Sequence, residues 1–217
     1  MKNDKIRPKI LSTRLIANAS DNLISALNLP QDTRSLALIT SDMDDVTYTA
    51  LDEATKAANV SVAYARSMYA GAGNASTLLA GEVIGILSGK NPAEVKSGLQ
   101  AAITFMENDG YFLSANDDNS IVCYAHTVSR TGSFLSAEAG IREGEPLAYL
   151  IAPPLEAIYG LDTALKAADV KMVKFYAPPS ETNFGGGLLT GTQSACKAAC
   201  RAFKDKVFEI AAAPREI

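Results

Sequence analysis

Residues 51–62 read LDEATKAANVSV, and 110 positions later residues 161–172 read LDTALKAADVKM, with seven of the twelve positions identical. In a chain of 217 residues, a recurrence at that spacing marks one structural unit used twice. The alanines suit a short helix pressed close to whatever it covers, because Ala has the best helix propensity and no bulk to hold a neighbour off. VSVAYAR (60–66) and VKMVKFYA (170–177) then alternate like half-buried strands. The register extends both ways. Upstream, SLALIT (35–40) falls on EPLAYLI (145–151) at the same offset. Downstream, EVIGILSG (82–89) aligns with FGGGLLTG (184–191) at an offset of 102, which leaves 110 − 102 = 8 extra residues in the first copy's loop at 67–81. Each copy closes with a second amphipathic helix, 92–107 behind an Asn91-Pro92 cap pair and 192–212. The unit is therefore predicted as strand, helix, strand, strand, helix. The fold class is α/β in the sense of an α+β sandwich: two small sheets with helices packed on them, divided as 1–110 and 111–217.

Composition narrows the function classes. Hydrophobic residues make up 47% of the chain and charged residues 20%, enough for a real core and lean enough in charge to expect part of the surface to be covered by other subunits. A net charge of −4, with no basic stripe, speaks against nucleic acid. No apolar run approaches the roughly 18 residues of a spanning helix, and MKNDKIRPK at the start lacks the apolar segment of a secretory signal, so neither membrane nor export is expected. Three cysteines, Cys123, Cys196 and Cys200, include no C-x-x-C pair. Cys196 and Cys200 share a helix face, where packing in a reducing compartment outweighs a metal site. His126 is the one histidine, so neither a His-rich metal site nor a Ser/His/Asp triad is expected.

Along the chain, residues 9–17 and 121–129 read as strands placed ahead of each repeat core, and 20–29 as a short helix. The matching stretch of the second copy, RTGSFLSAEAGIREGEP, is looser, and 107–120 reads as a polar linker holding Tyr111 and Phe112. The copies diverge most in loops, where binding differences reside. SDMDDVTYT (41–49) crowds three carboxylates where the second copy has APPLEAIYG (152–160). Asp42, Asp44 and Asp45, with Glu82 at the start of a strand, suit an ammonium ion or a hard cation; the same residues also read as a solvated turn capping the next helix. Gly185 to Gly187, inside a strand pattern, point to close backbone approach rather than a phosphate cradle.

These residues carry a resemblance. The run D-x-A-x-K-A-A-N/D-V at 52–60 and 162–170, the small-residue strand after it and the alanine-rich helix resemble bacterial microcompartment shell (BMC) domains, and two copies with a strand ahead of each core resemble the circularly permuted tandem class. SDMDDVTYTALDEATKAA, YARSMYAGA, VSRTGS, YLIAPPLEAIYGLD, PPSETN and LLTGTQSACKAACRAF are similar, in that order, to shell proteins of ethanolamine-utilising compartments. The resemblance implies two tandem BMC domains, a homotrimer imitating a hexagonal tile, tiling with other shell proteins in a cytoplasmic compartment's shell, and no enzymatic activity. It also implies pores for small metabolites. The carboxylates Asp44, Asp45 and Glu82 would meet the amine of ethanolamine, with Phe112 and Thr182 as further lining. Tyr69, Gly71, Gly73, Asn183 and Phe184 fall in the loops expected to gate a central opening. Lys56 and Lys166 would lie at the tile edge. No metal or cofactor is implied; cobalamin contact is raised only because the enclosed ammonia-lyase of such pathways uses it, and no motif supports it. Two other classes stay open: a sensor that clasps an amine or cobalamin and remains a discrete oligomer, and an enzyme with Asp45 or Glu82 as general base.

Overall fold

The computed structural model describes residues 1–68, 77, 79–178 and 183–215. Within them the chain divides into two units, an N-terminal one of Arg7–Gly110 with Gly132–Leu135, and a C-terminal one of Met1–Ile6, Tyr111–Thr131 and Ser136–Ile217.

The N-terminal unit runs β2 (Ile10–Ile16), α1 (Asp21–Ala26), β3 (Ser35–Ser41), α2 (Asp44–Ala57), β4 (Ser61–Ser67), β5 (Val83–Gly89) and α3 (Pro92–Asn108). Its strands form an antiparallel sheet in the order β2-β3-β5-β4. β3 and β5 are central and buried almost throughout, which is why both read as near-continuous apolar runs. Val46, Ala50, Leu51 and Ala54 of α2 and Val95, Leu99, Ala102 and Met106 of α3 are buried at helical spacing. Asn91 caps α3 by accepting from the Glu94 N–H at 3.0 Å, with Pro92 in the first turn.

The C-terminal unit repeats the plan with β7 (Val122–Val128), β8 (Leu147–Ala152), α5 (Pro154–Ala167), β9 (Val170–Tyr176), β10 (Gly185–Gly191) and α6 (Gln193–Ala212). Its core gathers Leu150, Leu161, Leu189, Cys196, Cys200 and Phe203. A Cβ on Gly186 would stand 1.9 Å from the Leu150 carbonyl oxygen, so the glycines of β10 do serve close strand approach.

Three expectations are corrected. The linker 107–120 holds a strand, β6 (Phe112–Ser114), and the residues ahead of 9–17, to which no element was assigned, hold β1 (Lys5–Ile6); both extend the C-terminal sheet, in the order β1-β6-β7-β8-β10-β9. Met1–Ile6 thus belongs with the second half of the chain, not with 1–110. The loose stretch after Arg130 contains α4 (Ser133–Ala139), whose opening residues are counted with the N-terminal unit. Finally, SDMDDVTYT and APPLEAIYG are not loops: α2 and α5 begin at Asp44 and Pro154, with acids or proline in the first turn, where helices favour both.

Candidate functional site

The carboxylates gather where β3 hands the chain to α2. Met43 occupies the N-cap position without a side-chain hydrogen bond, and Ser41 takes over part of that work by accepting from the Met43 N–H at 3.2 Å and lying 2.7 Å from the Thr47 hydroxyl. Asp42 turns outward and accepts from the Lys9 N–H at 2.7 Å. Asp44 and Asp45 stand in the first helical turn, where the macrodipole favours negative charge, Asp45 buried and Asp44 partly exposed. Glu82 arrives just ahead of β5, the strand paired with β3: its N–H donates to the Ser41 carbonyl at 2.8 Å and its own carbonyl accepts from Met68 N–H at 2.6 Å. Gly81 makes this approach feasible. Its φ is +63°, and a Cβ there would meet the Ser41 oxygen at 2.2 Å.

A short hydroxyl relay holds Asp44. Ser67 Oγ donates to Asp44 Oδ2 at 2.6 Å and lies 2.7 Å from Tyr48 Oη. A serine has one hydrogen and a carboxylate only accepts, so Tyr48 is the donor to Ser67. Asp44 Oδ1 accepts from the Asp45 N–H at 2.8 Å. Burial, then the charges of Asp44 and Asp42, push the Glu82 carboxyl above its ordinary range. Glu82 is thus repelled by Asp44 and Asp42, and none of these three has a basic partner among the ion pairs of the described residues. Sequence reasoning missed Tyr48 and Ser67. The signal for Tyr48 was present, since it lies four residues after Asp44 and so on the same helix face; Ser67 ends a strand and carried none.

Of the other expected residues, Phe112, Lys166, Asn183 and Phe184 belong to the C-terminal unit and Lys56 to α2. Phe112 lies in the C-terminal unit, its ring buried and stacked 5.3 Å from Tyr124, with Phe184 at 6.2 Å. Asn183 adopts a left-handed φ of 65° just before Phe184. Tyr69, Gly71, Gly73 and Thr182 lie outside the described residues. Lys56 sits on α2, half-buried, paired with Glu53 and 3.8 Å from Asp52; Lys166 is exposed on α5 and pairs with Asp162 at 2.6 Å.

Asp52 is a third residue that sequence reasoning passed over. It is fully buried, its Oδ2 accepting from Gly132 N–H at 2.7 Å and its Oδ1 from Leu135 N–H at 2.8 Å, so it caps the start of α4 across about 80 residues of sequence. Burial holds its carboxyl above the ordinary range, outweighing those N–H groups and Lys56, which act the other way.

Among the described residues no group of three or more His, Cys, Asp or Glu is placed to hold a metal, and no helix is long and apolar enough to cross a membrane. Burial pushes the Cys123 and Cys200 thiols up to about 12, which leaves them unreactive core groups. His126 stacks on Tyr124 with ring centroids 5.5 Å apart.

Comparison with known proteins shows the family. The BMC domain family model matches residues 35–119. The chain is 66% identical to the bacterial microcompartment shell protein EutL of Clostridium perfringens over 214 residues, 99% of both chains, and 54% identical to EutL of Salmonella typhimurium over 97% of this chain and 96% of that one. The crystal structure of the ethanolamine utilization protein EutL from Leptotrichia buccalis superposes with a TM-score of 0.97 at 63% identity, covering 100% of each chain.

Proposed function

The chain belongs to the bacterial microcompartment shell proteins built from BMC domains, and from that premise we propose that three copies close into a pseudohexagonal tile of an ethanolamine-utilising compartment. Membership of this family makes it a structural protein of the shell rather than an enzyme. The observation that carries the trimer is an apolar patch on α5: Leu155 is 62% exposed, Ile158 46% and Tyr159 56%. The repeat offset of 110 maps these onto Asp45, Tyr48 and Thr49 of α2, the helix whose Asp52 receives Gly132 and Leu135 at the start of α4. α4 itself has a sister, α1, since 133 − 21 = 112 and β7 follows β2 by the same 122 − 10 = 112. Leu23 of α1 corresponds to Leu135, and where Leu135 is buried Leu23 is 37% exposed. One exposed leucine and one exposed apolar helix face, each the counterpart of a buried partner, belong against each other on neighbouring copies. That contact is head-to-tail, and with a threefold rotation it closes into a ring. Light scattering on the purified chain is expected to give three times the 22.9 kDa chain mass, and Leu155→Glu with Tyr159→Glu is expected to give folded monomers. A wild-type monomer would sink the tile.

The acidic site gives the tile its selectivity. Asp44, Asp45 and Glu82 offer charge-assisted acceptors to the ammonium of ethanolamine, with Asp44 held in place by Ser67 and Tyr48. Binding is weak by design, because a passage must release what it takes up. In calorimetry Asp44→Asn is expected to lose about 1.5–3 kcal/mol of ethanolamine affinity, while uncharged ethylene glycol binds neither form. Equal affinity in both forms would assign the carboxylates another role.

A further inference from the structure

The two helix pairs carry opposite charge on equivalent surfaces. Between α2 and α3 lies an open groove of about 600 Å³, with Ala101 and Phe105 in its floor and Glu53, Lys56, Gln100 and Asp109 around it. The buried positions of α3 and α6 match at an offset of 101: Val95 with Cys196, Gly98 with Ala199, Leu99 with Cys200, Ala102 with Phe203 and Met106 with Val207. That register, with the offset of 110 for α2 and α5, converts the groove's charges one by one. Glu53 becomes Thr163, Asp109 becomes Ile210, Gln100 becomes Arg201 and Thr104 becomes Asp205, while Lys56 persists as Lys166. Phe105 becomes Lys206, so the groove holds two acids and one base, and the sister surface three bases and one acid. Asp109 and Arg201 are both exposed, and neither takes part in an ion pair among the described residues.

We propose that the groove beside Lys56 receives the Lys166 and Arg201 surface of another copy of the chain, so that contacts between tiles join unlike edges. The inference rests on the tiling reading above and adds its polarity. Groove against groove would set acids against acids, whereas groove against the sister surface lets the Arg201 guanidinium reach Asp109 and Glu53 with its planar fork of donors. Each exposed pair is worth little alone, but a reversed charge puts like against like along every edge of a sheet.

Sheet formation by the purified full-length chain at rising concentration, imaged by negative-stain electron microscopy, tests this with three variants: Asp109→Arg, Arg201→Asp, and both in one chain. Each single reversal is expected to raise the concentration needed for sheets about tenfold or more, and the double reversal to restore it. Circular dichroism and particle mass confirm that each variant is folded and assembled. Single variants that tile like the wild type, or a folded double variant that does not recover, overturn the unlike-edge contact and leave the tile intact. A wild-type chain that forms no sheets overturns tiling itself, and this inference with it.

Discussion

α2 and α5 descend from one repeat and meet opposite fates. The aspartate that stands at the same place in both, Asp52 and Asp162, is wholly enclosed in one helix and 61% exposed in the other. In α2 it spends its oxygens on two backbone N–H groups; in α5 it pairs with Lys166 in water. One and two turns earlier, α2 presents Thr49 and Asp45, both buried, where α5 presents Tyr159 and Leu155, both exposed. The apolar residues are outside and the polar ones inside, the reverse of what a monomer needs. A helix face is therefore readable only together with what covers it: α2 is covered by its own chain, and α5 carries the composition of a surface awaiting a partner.

The largest expected effect separates the two aspartates. Asp52→Ala strands two buried N–H groups and should cost about 2–4 kcal/mol in denaturant unfolding, whereas Asp162→Ala should stay within about 0.5 kcal/mol. Equal losses would mean that the two helices are not differently covered, and the comparison would fail.

A smaller effect sharpens the contrast through pH. The Glu82 carboxyl is raised from an ordinary 4.5, by burial first and by Asp44 and Asp42 next, so the folded chain holds this proton more tightly than the unfolded one. Its contribution to stability is present in full below 4.5 and is lost as pH climbs through the folded value. Glu82→Gln, which stays neutral, should gain thermal stability relative to the wild type across that climb. Ethanolamine affinity of the wild type should fall on acidification through the same window, because a protonated carboxyl no longer attracts an ammonium. A pH-independent difference between the two forms would show that Glu82 feels neither burial nor its neighbours.

The legibility of the molecule follows the range of the forces involved. The repeated strand-helix-strand-strand-helix plan was visible because burial against a sheet stamps a period on each element, and Asn91-Pro92 announced α3 through local capping chemistry. β1 and β6 were not visible, since strands of two and three residues carry too little alternation to detect and exist only by pairing with each other and with β7. α4 was hidden for a related reason: its start is satisfied by Asp52, about 80 residues away, and no local cap signals it. The carboxylates were legible as a cluster, yet their setting in a helical first turn and the relay through Ser67 depend on β4 and β5 lying side by side.

By itself the sequence determined that one unit occurs twice, which segments of each are strands and helices, and that acids crowd one copy's junction and not the other's. All of these are written in local patterns a few turns of chain long, one of which recurs at an offset of 110. Only the tertiary structure decided which of two identical aspartates is interior, which leucine is left without cover, and which helix pair bears acids where its sister bears bases. Those outcomes hang on contacts between residues far apart in the chain, and a helix of given composition does not specify the surface that will lie against it.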